Sequence, residues 1–204
     1  SRQSGEFFKI ITIPDQMPNN ILIGKKISIG FDPKLFTKKF LTVFFGKNKC
    51  EYKPIPNNLI DEIWNRKVKK NKSKFFRLPD KSFSEGYQSK INKVSKYLKN
   101  KGAEYLFITA SENNAWLMNI RGHDAKYTPI PYSYVLIDKD KNIKFFCDLK
   151  KISKHLRKCL RKIEFLDIRN CYKILLKKKK KKFIIDKNSC SYFFEDIINK
   201  NNKI

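Results

Sequence analysis

The fold of this chain is decided by residues 105–148, YLFITASENNAWLMNIRGHDAKYTPIPYSYVLIDKDKNIKFFCD. The stretch opens with the apolar run YLFIT (105–109), which is typical of a strand that is buried on both faces. A polar start at Ser111, followed by the apolar residues 115–118, predicts a helix with Ser111 as its cap. Gly122 is predicted to end this helix.

Two extended runs, YSYVLID and NIKFFCD, complete the stretch. They meet at Lys139 and Asp140, which predicts a β-hairpin. The hairpin follows a strand and a helix, so the local order is strand, helix, hairpin.

A further helix is predicted immediately upstream. Ser84 is its expected cap, and Gly102 is expected to end it in a left-handed conformation. Its apolar residues form one stripe at helical spacing: Tyr87, Ile91, Val94 and Leu98.

The downstream part continues the alternation of helices and strands. We expect an amphipathic helix over 152–162, a strand over 164–168, a helix over 171–176, a strand over 183–186 and a last helix over 191–199 capped by Ser191. Together these elements predict an α/β fold with a mixed β-sheet flanked by helices.

The first 70 residues show fewer elements. Extended segments are predicted at 7–14, 27–31 and 50–56. Asp32 and Pro33 are expected to start a helix over 34–45 that ends near Gly46, and Asn58 is expected to cap a short helix from 59. A basic linker, 65–74, follows.

The charge of the chain allows two interpretations. It has 46 Lys and Arg against 19 acidic residues, a formal net charge of +27 over 204 residues, which is typical of nucleic-acid-binding proteins. However, the lysines are scattered, and Asn and Ile are also abundant, as an AT-rich genome would produce. The six lysines 177–182 are predicted to be a solvated loop, with a polyanion-binding patch as the alternative.

The cysteines and the apolar runs indicate a cytoplasmic protein. Five cysteines without a C-x-x-C pair favour reduced thiols over a zinc site or disulfides. No apolar run reaches the roughly 20 residues that span a bilayer. The chain shows no signal-peptide pattern and no initiator Met, so we expect a cytoplasmic fragment.

Four motifs resemble a known family. AWLMNIRGHD (115–124) and TPIPYSYVLI (128–137) are similar to the non-catalytic part of three-domain Xaa-Pro aminopeptidases, also called aminopeptidase P. IGFDP (29–33) and PIPNNLIDEIW (54–64) resemble the end of the first domain of that family, in the same order. The resemblance therefore implies the creatinase-type N-terminal fold.

The resemblance also implies a domain organisation and an activity. Residues 1–70 would be the C-terminal part of a truncated first domain, 75–204 the second domain, and the catalytic pita-bread domain would be absent. The parent enzyme would remove an N-terminal residue that precedes proline, using two divalent metal ions, usually manganese, in the absent domain. Its partners would be its own catalytic domain, proline-containing peptides and a second subunit. A membrane and nucleic acid are not expected among its partners.

No catalytic or metal-binding residue is predicted in this chain. Neither His123 nor His155 has a second histidine or a carboxylate cluster at ligand spacing, so the chain alone should hydrolyse nothing. A substrate-access loop is predicted instead, formed by Arg121, His123, Asp124 and Tyr127.

Arginine is suited to bind a peptide carboxylate at that loop. The alternative is that Arg121 and Asp124 pair with each other, hold the loop and leave His123 merely exposed. Trp64 and Trp116 are predicted to be core anchors.

The function predicted for this part is to shape access to the active site and to contribute to subunit packing. The alternative is a stand-alone basic module that binds nucleic acid or another partner and has no enzymatic activity.

Overall fold

The computed structural model describes residues 10–46, 49–64 and 71–204. The N-terminal part contains two parallel strands, β1 (Ser28–Phe31) and β2 (Glu51–Pro54), which pair with Gly30 opposite Lys53. Three helices accompany them in the described residues of this part: α1 (Pro18–Ile21), α2 (Lys38–Phe45) and α3 (Leu59–Ile63).

A mixed five-stranded sheet dominates the rest of the chain. Its strands are β3 (Tyr105–Ile108), β4 (Tyr134–Asp138), β5 (Ile143–Cys147), β6 (Ile163–Asp167) and β7 (Phe183–Ile185). Their order is β6-β5-β4-β3-β7, in which β3, β4 and β5 are antiparallel neighbours and the outer strands β6 and β7 each pair in parallel. The predicted mixed sheet is therefore confirmed.

Five helices flank this sheet: α4 (Tyr87–Asn100), α5 (Ser111–Met118), α6 (Lys154–Cys159), α7 (Cys171–Leu176) and α8 (Tyr192–Asn199). Short 3₁₀ turns lie at Asp80–Ser82, Leu149–Lys151 and Ile168–Asn170. Apart from the hairpin β4–β5, helices and strands alternate along this part of the chain, as the sequence predicts.

Side chains of the hairpin alternate between two hydrophobic clusters, because successive residues of a strand point to opposite faces. Val135, Ile137 and Phe145 pack with residues of α4, α5 and α6. Leu136 and Phe146 pack on the other face with residues of α7 and α8. The sheet is thus covered by helices on both sides.

The predicted hairpin and the glycine at the end of α4 are both observed. β4 and β5 are joined by a turn in which Lys141 has φ 71°. The Asp138 carboxylate accepts hydrogen bonds from the backbone N–H groups of Asp140 and Asn142. Gly102 follows α4 with φ 59°, the left-handed conformation in which a side chain is unfavourable.

Several predicted helix starts are wrong by a few residues. The helix expected from residue 34 begins at Lys38, because the Thr37 hydroxyl accepts from the Phe40 N–H and provides the cap. Asp32 instead closes a local turn by accepting from the Lys34 N–H. Asn58 does cap α3, by accepting from the Ile60 N–H.

The serines predicted as caps do not act as such. Gly86 and Ala110, rather than Ser84 and Ser111, occupy the cap positions of α4 and α5. Ser191 occupies the cap position of α8, but its side chain makes no capping hydrogen bond.

Both tryptophans were wrongly predicted to be core anchors. Trp64 is 57% exposed and Trp116 is 59% exposed. An aromatic residue among aliphatic neighbours does not by itself show which side of a short helix it occupies.

Other predictions fall partly outside the described residues. Of the extended segment expected at 7–14, residues 7–9 lie outside them, and residues 10–14 form no strand. Most of the linker, 65–70, also lies outside them.

In the part of the chain that the structure describes, no helix has the length and apolar character needed to cross a bilayer.

The two parts of the chain meet at the N-terminus of α8. The N–H groups of Tyr192 and Phe193 donate to the carbonyls of Phe36 and Pro33, at 2.7 and 2.8 Å. The rings of Phe31 and Tyr192 pack edge to face with centroids 5.0 Å apart. These hydrogen bonds satisfy two of the N–H groups that a helix start leaves without partners inside the helix.

Candidate functional site

The predicted access loop starts where α5 ends. Asn119, with φ 53°, terminates the helix in the left-handed conformation. Its side-chain amide donates to the Glu85 carbonyl at 3.0 Å and accepts from Lys90 Nζ at 2.7 Å. The helix therefore ends three residues before Gly122, which was predicted to end it.

Gly122 instead allows two segments of the chain to pack closely. A Cβ atom at this position would lie 2.9 Å from the Cδ1 atom of Phe75 and 2.9 Å from the Cα atom of Pro131. Its N–H donates to the Pro129 carbonyl at 3.3 Å. The close approach of the two chain segments thus depends on the absence of a side chain here.

Arg121 is used to hold the loop in place. Its Nη1 donates to the carbonyls of Ala115 and Ile120, at 2.8 and 3.1 Å. Its guanidinium lies 5.7 Å from the centre of the Phe83 ring. A cation at the C-terminus of α5 is favourable, because the negative end of the helix dipole lies there. The arginine predicted to bind a peptide carboxylate is thus engaged within the fold.

Asp124 has a buried side chain that pairs with Lys151. Its side chain is only 4% exposed, and that of Lys151 is 12% exposed. The Asp124 carboxylate also accepts from the Tyr132 N–H at 2.8 Å. The alternative prediction that Asp124 pairs with Arg121 is therefore wrong, although both residues do hold the loop.

His123 and Tyr127 are the exposed members of the predicted set. The His123 ring stacks on Phe76, with centroids 5.1 Å apart, and its carbonyl accepts from the Asn71 side chain. Tyr127 is 86% exposed, and Lys126 Nζ lies 5.0 Å from the centre of its ring. The loop therefore presents an imidazole and a phenol on a base that is fixed by hydrogen bonds.

Lys90 is a buried residue that sequence reasoning missed. Its Nζ donates to the Trp116 carbonyl at 2.6 Å, as well as to Asn119, and lies 4.1 Å from the centre of the Trp116 ring. Burial lowers the pKa of this lysine, and the nearby Glu85 opposes that effect. The sequence does contain a signal of this burial. Lys90 lies three residues after Tyr87 and four before Val94, so it borders the apolar stripe of α4.

The chemistry available at this loop is recognition. His123 and Tyr127 can donate and accept hydrogen bonds and can stack on a ligand.

His155 is exposed on α6, where its Nε2 lies 3.5 Å from the Sγ atom of Cys159. Within the described residues, no three His, Cys, Asp or Glu side chains come together as potential metal ligands.

Curated proteins similar to this chain include Xaa-Pro aminopeptidases. Xaa-Pro aminopeptidase ApepP of Drosophila melanogaster is 28% identical over 121 residues, which are 57% of this chain and 20% of that protein. Protein pid-5 of Caenorhabditis elegans is 31% identical over 136 residues, which are 65% of this chain and 13% of that protein. The chain thus spans a fifth or less of the length of these relatives.

A solved structure shows the same fold. The X-prolyl aminopeptidase of Caenorhabditis elegans, described as a cytosolic enzyme with a di-nuclear active site, superposes with a TM-score of 0.76 at 24% identity. The match covers 86% of this chain and 30% of the nematode enzyme. It confirms the predicted fold class.

A family model also matches most of the chain. The model is that of the creatinase/prolidase N-terminal domain, and it covers residues 66–204. This range contains the five-stranded sheet, the helices that flank it and the whole access loop. On that match, the chain belongs to the creatinase/prolidase N-terminal domain family.

Proposed function

We propose that this chain is a non-catalytic part of a cytoplasmic, metal-dependent Xaa-Pro aminopeptidase, and that it shapes access to the active site. The observation that carries the proposal is the family match over residues 66–204, together with relatives that bear the Xaa-Pro aminopeptidase name. The parent enzyme would release an N-terminal residue that precedes proline.

The metal ions would be bound by a separate catalytic domain. The described residues do not suit a metal centre, because no three potential ligands come together in them. A di-nuclear active site is attributed to the similar nematode enzyme. We propose two divalent ions, manganese by preference, and assign no step of the reaction to residues of this chain.

The access role rests on the two exposed side chains of the loop. His123 and Tyr127 project from a base that is fixed by the Arg121 and Asp124 interactions, so they can contact a peptide without rearrangement of the backbone. Such a preorganised surface loses little side-chain and loop entropy when it binds a peptide, and this favours binding.

The N-terminal residues are proposed to be the end of a preceding domain, with residues 75–204 as a second one. Within the described residues, β1 and β2 form a sheet of two strands, and a sheet of this size is marginal by itself. Exposed aliphatic side chains are also frequent in this part, including Ile10, Ile23, Leu35, Ile60 and Ile63. Both features would be explained by further strands that pack on them in the parent protein.

The assignment is tested by hydrolysis of the peptide Arg-Pro-Pro in the presence of manganese. We expect no cleavage by the 204-residue chain, and cleavage of the Arg-Pro bond by a protein extended through the downstream reading frame. Cleavage by the 204-residue chain alone would show that the proposed location of the metal site is wrong.

The access loop is tested in the extended, active protein. Replacement of Tyr127 by Ala should raise KM for the peptide about threefold to tenfold with little change in kcat, because binding rather than chemistry is altered. Tyr97→Ala is the matched control, since Tyr97 is an exposed tyrosine on α4. Equal effects of the two substitutions would contradict an access role for Tyr127.

A second subunit is proposed as a partner, since the parent family is expected to pack as a dimer. Sedimentation velocity of the extended protein measures this directly. A single monomeric species across the micromolar range would count against subunit packing as a role of this chain.

A further inference from the structure

The lysine run 177–182 has a fixed shape because the C-terminal residues hold it. The Lys180 N–H donates to the Asn201 carbonyl at 2.7 Å, and the Lys203 N–H donates to the Lys181 carbonyl at 2.8 Å. A parallel bridge joins Lys182 to Lys203. The run is thus a loop, as predicted, but its backbone is paired over several residues.

Asn202 is the neutral residue that fixes this arrangement. Its side-chain Nδ2 donates to the carbonyls of Lys178 and Ile198, at 2.9 and 3.2 Å. Its Oδ1 accepts from the Lys181 N–H at 3.1 Å. One amide therefore ties the lysine loop to the end of α8.

The pinned loop and the C-terminal residues enclose a concavity of about 670 Å³. We call it the lysine pocket. Its lining includes five lysines: Lys180, Lys181, Lys182, Lys200 and Lys203. Gly102, Glu104 and residues 199, 201 and 202 complete the lining.

Of these five lysines, only Lys200 has a carboxylate partner within the described residues. Lys200 pairs with Asp196 at 3.4 Å, and Lys182 Nζ donates to the Lys101 carbonyl at 2.8 Å. Within the described residues, no ion pair involves Lys180, Lys181 or Lys203. Glu104, the acidic residue of the pocket, already accepts from the backbone N–H of Lys182 at 2.8 Å.

This charge arrangement suits a ligand with several closely spaced negative charges. Like charges that a backbone holds close together repel one another, and a multivalent anion relieves that repulsion. Lysine binds phosphate as a point charge. The described residues that line the pocket include no aromatic side chain, so they offer no platform on which nucleic-acid bases could stack.

We propose that the lysine pocket is a binding site for a linear oligophosphate, recognised through charge by Lys180, Lys181 and Lys203. The site is separate from the access loop, and its residues include none of Arg121, His123, Asp124 or Tyr127. Its occupancy is therefore independent of the aminopeptidase assignment.

Tripolyphosphate is the probe, titrated calorimetrically into the 204-residue chain at 150 mM NaCl. We expect one saturable site. The triple variant Lys180→Gln, Lys181→Gln, Lys203→Gln should bind about tenfold or more weakly, because it removes three positive charges from the pocket. The control variant with Gln at 96, 154 and 158 removes three exposed lysines outside the pocket and should bind as the parent chain does.

Asn202→Ala separates a built site from general attraction to a chain of net charge +27. This substitution leaves the charge unchanged but releases the loop, so we expect tripolyphosphate binding to weaken about threefold to tenfold. Circular dichroism and thermal unfolding report whether the variant remains folded.

Three outcomes would overturn the proposal. One is equal weakening in the pocket and control triple variants, and another is unchanged binding in a folded Asn202→Ala variant. The third is tight binding of a twelve-residue oligothymidylate without measurable binding of tripolyphosphate, which would identify the ligand as nucleic acid.

Discussion

Asp124 lies in a motif that was predicted to contact a substrate, but its side chain contacts other residues of the fold. Its carboxylate is nearly buried against Lys151 and also accepts from the Tyr132 N–H. Asp124→Asn should keep the second interaction and leave the lysine without its counter-ion. We expect the free energy of unfolding, measured with urea, to fall by about 2 kcal/mol or more, because removal of one partner leaves a largely buried charge unpaired.

Glu164→Gln is the control for this prediction. Glu164 pairs with Lys144, but its side chain is 54% exposed, so its loss should cost about 1 kcal/mol or less. If the two substitutions destabilise the chain equally, burial of the Asp124–Lys151 pair has no energetic significance.

Buried thiols give the stability of the chain a predictable pH dependence. Burial is the main reason that the pKa of Cys147 rises to about 12 from an ordinary value of 9.0. A raised pKa in the folded state means that stability is fully present below pH 9 and is lost as the pH rises, since the unfolded chain releases the proton first. The wild-type chain should therefore lose stability as the pH rises from 9 to 10.

Cys147→Ala should reduce that loss by about 1 kcal/mol over the same range, although the variant is less stable at neutral pH because it leaves a cavity. Urea unfolding at several pH values measures both effects. Cys159→Ala, at an exposed thiol, serves as the control. If the unfolding free energy of the Cys147→Ala variant depends on pH as steeply as that of the wild-type chain, the loss of stability does not come from this thiol.

At the scale of elements, the joint between α5 and the hairpin depends on Gly122. A methyl group there would meet Phe75 and the backbone of Pro131 at 2.9 Å, and a backbone atom cannot rotate away. We expect Gly122→Ala to destabilise the chain by about 1–3 kcal/mol, as overpacking does. Thermal unfolding measures this change.

Gly86→Ala provides a matched comparison for Gly122. A Cβ at Gly86 would meet only the Gln88 side chain, at 3.7 Å, and its φ of −69° suits any residue. This variant should remain within about 0.5 kcal/mol of the parent chain. A large effect at Gly86 with none at Gly122 would reverse our interpretation of the two positions.

At the scale of the whole molecule, the two parts of the chain are joined through α8. Phe31 packs on Tyr192, while Lys38 pairs with Glu195 at 3.4 Å. Phe31→Ala should loosen this joint without unfolding the five-stranded sheet, because Phe31 belongs to neither hydrophobic cluster of that sheet. Hydrogen exchange is expected to accelerate at the amides of Tyr192 and Phe193 and to stay slow in β4 and β5. Faster exchange throughout the sheet would show that the two parts unfold as one unit.

Sequence reasoning predicted the order of elements correctly and the helix starts less well. The hairpin, the mixed sheet, the stripe of α4 and the left-handed Gly102 follow from periodicity and from local conformational preference, which act over a few residues. Helix starts differed because a cap is decided by which side chain reaches which N–H. Ser111, for example, donates to the Ser133 carbonyl, 22 residues away, instead of capping α5.

The sequence by itself determined the alternation of apolar residues, the turns and the family motifs, since each of these is a local pattern. Only the tertiary structure decided that Asp124 pairs with Lys151, that Trp116 is exposed beside the buried Lys90, and that Asn202 holds the lysine loop. Each of these contacts joins residues that lie 21 to 27 positions apart. Their partners are therefore set by the packing of whole elements, which no local pattern encodes.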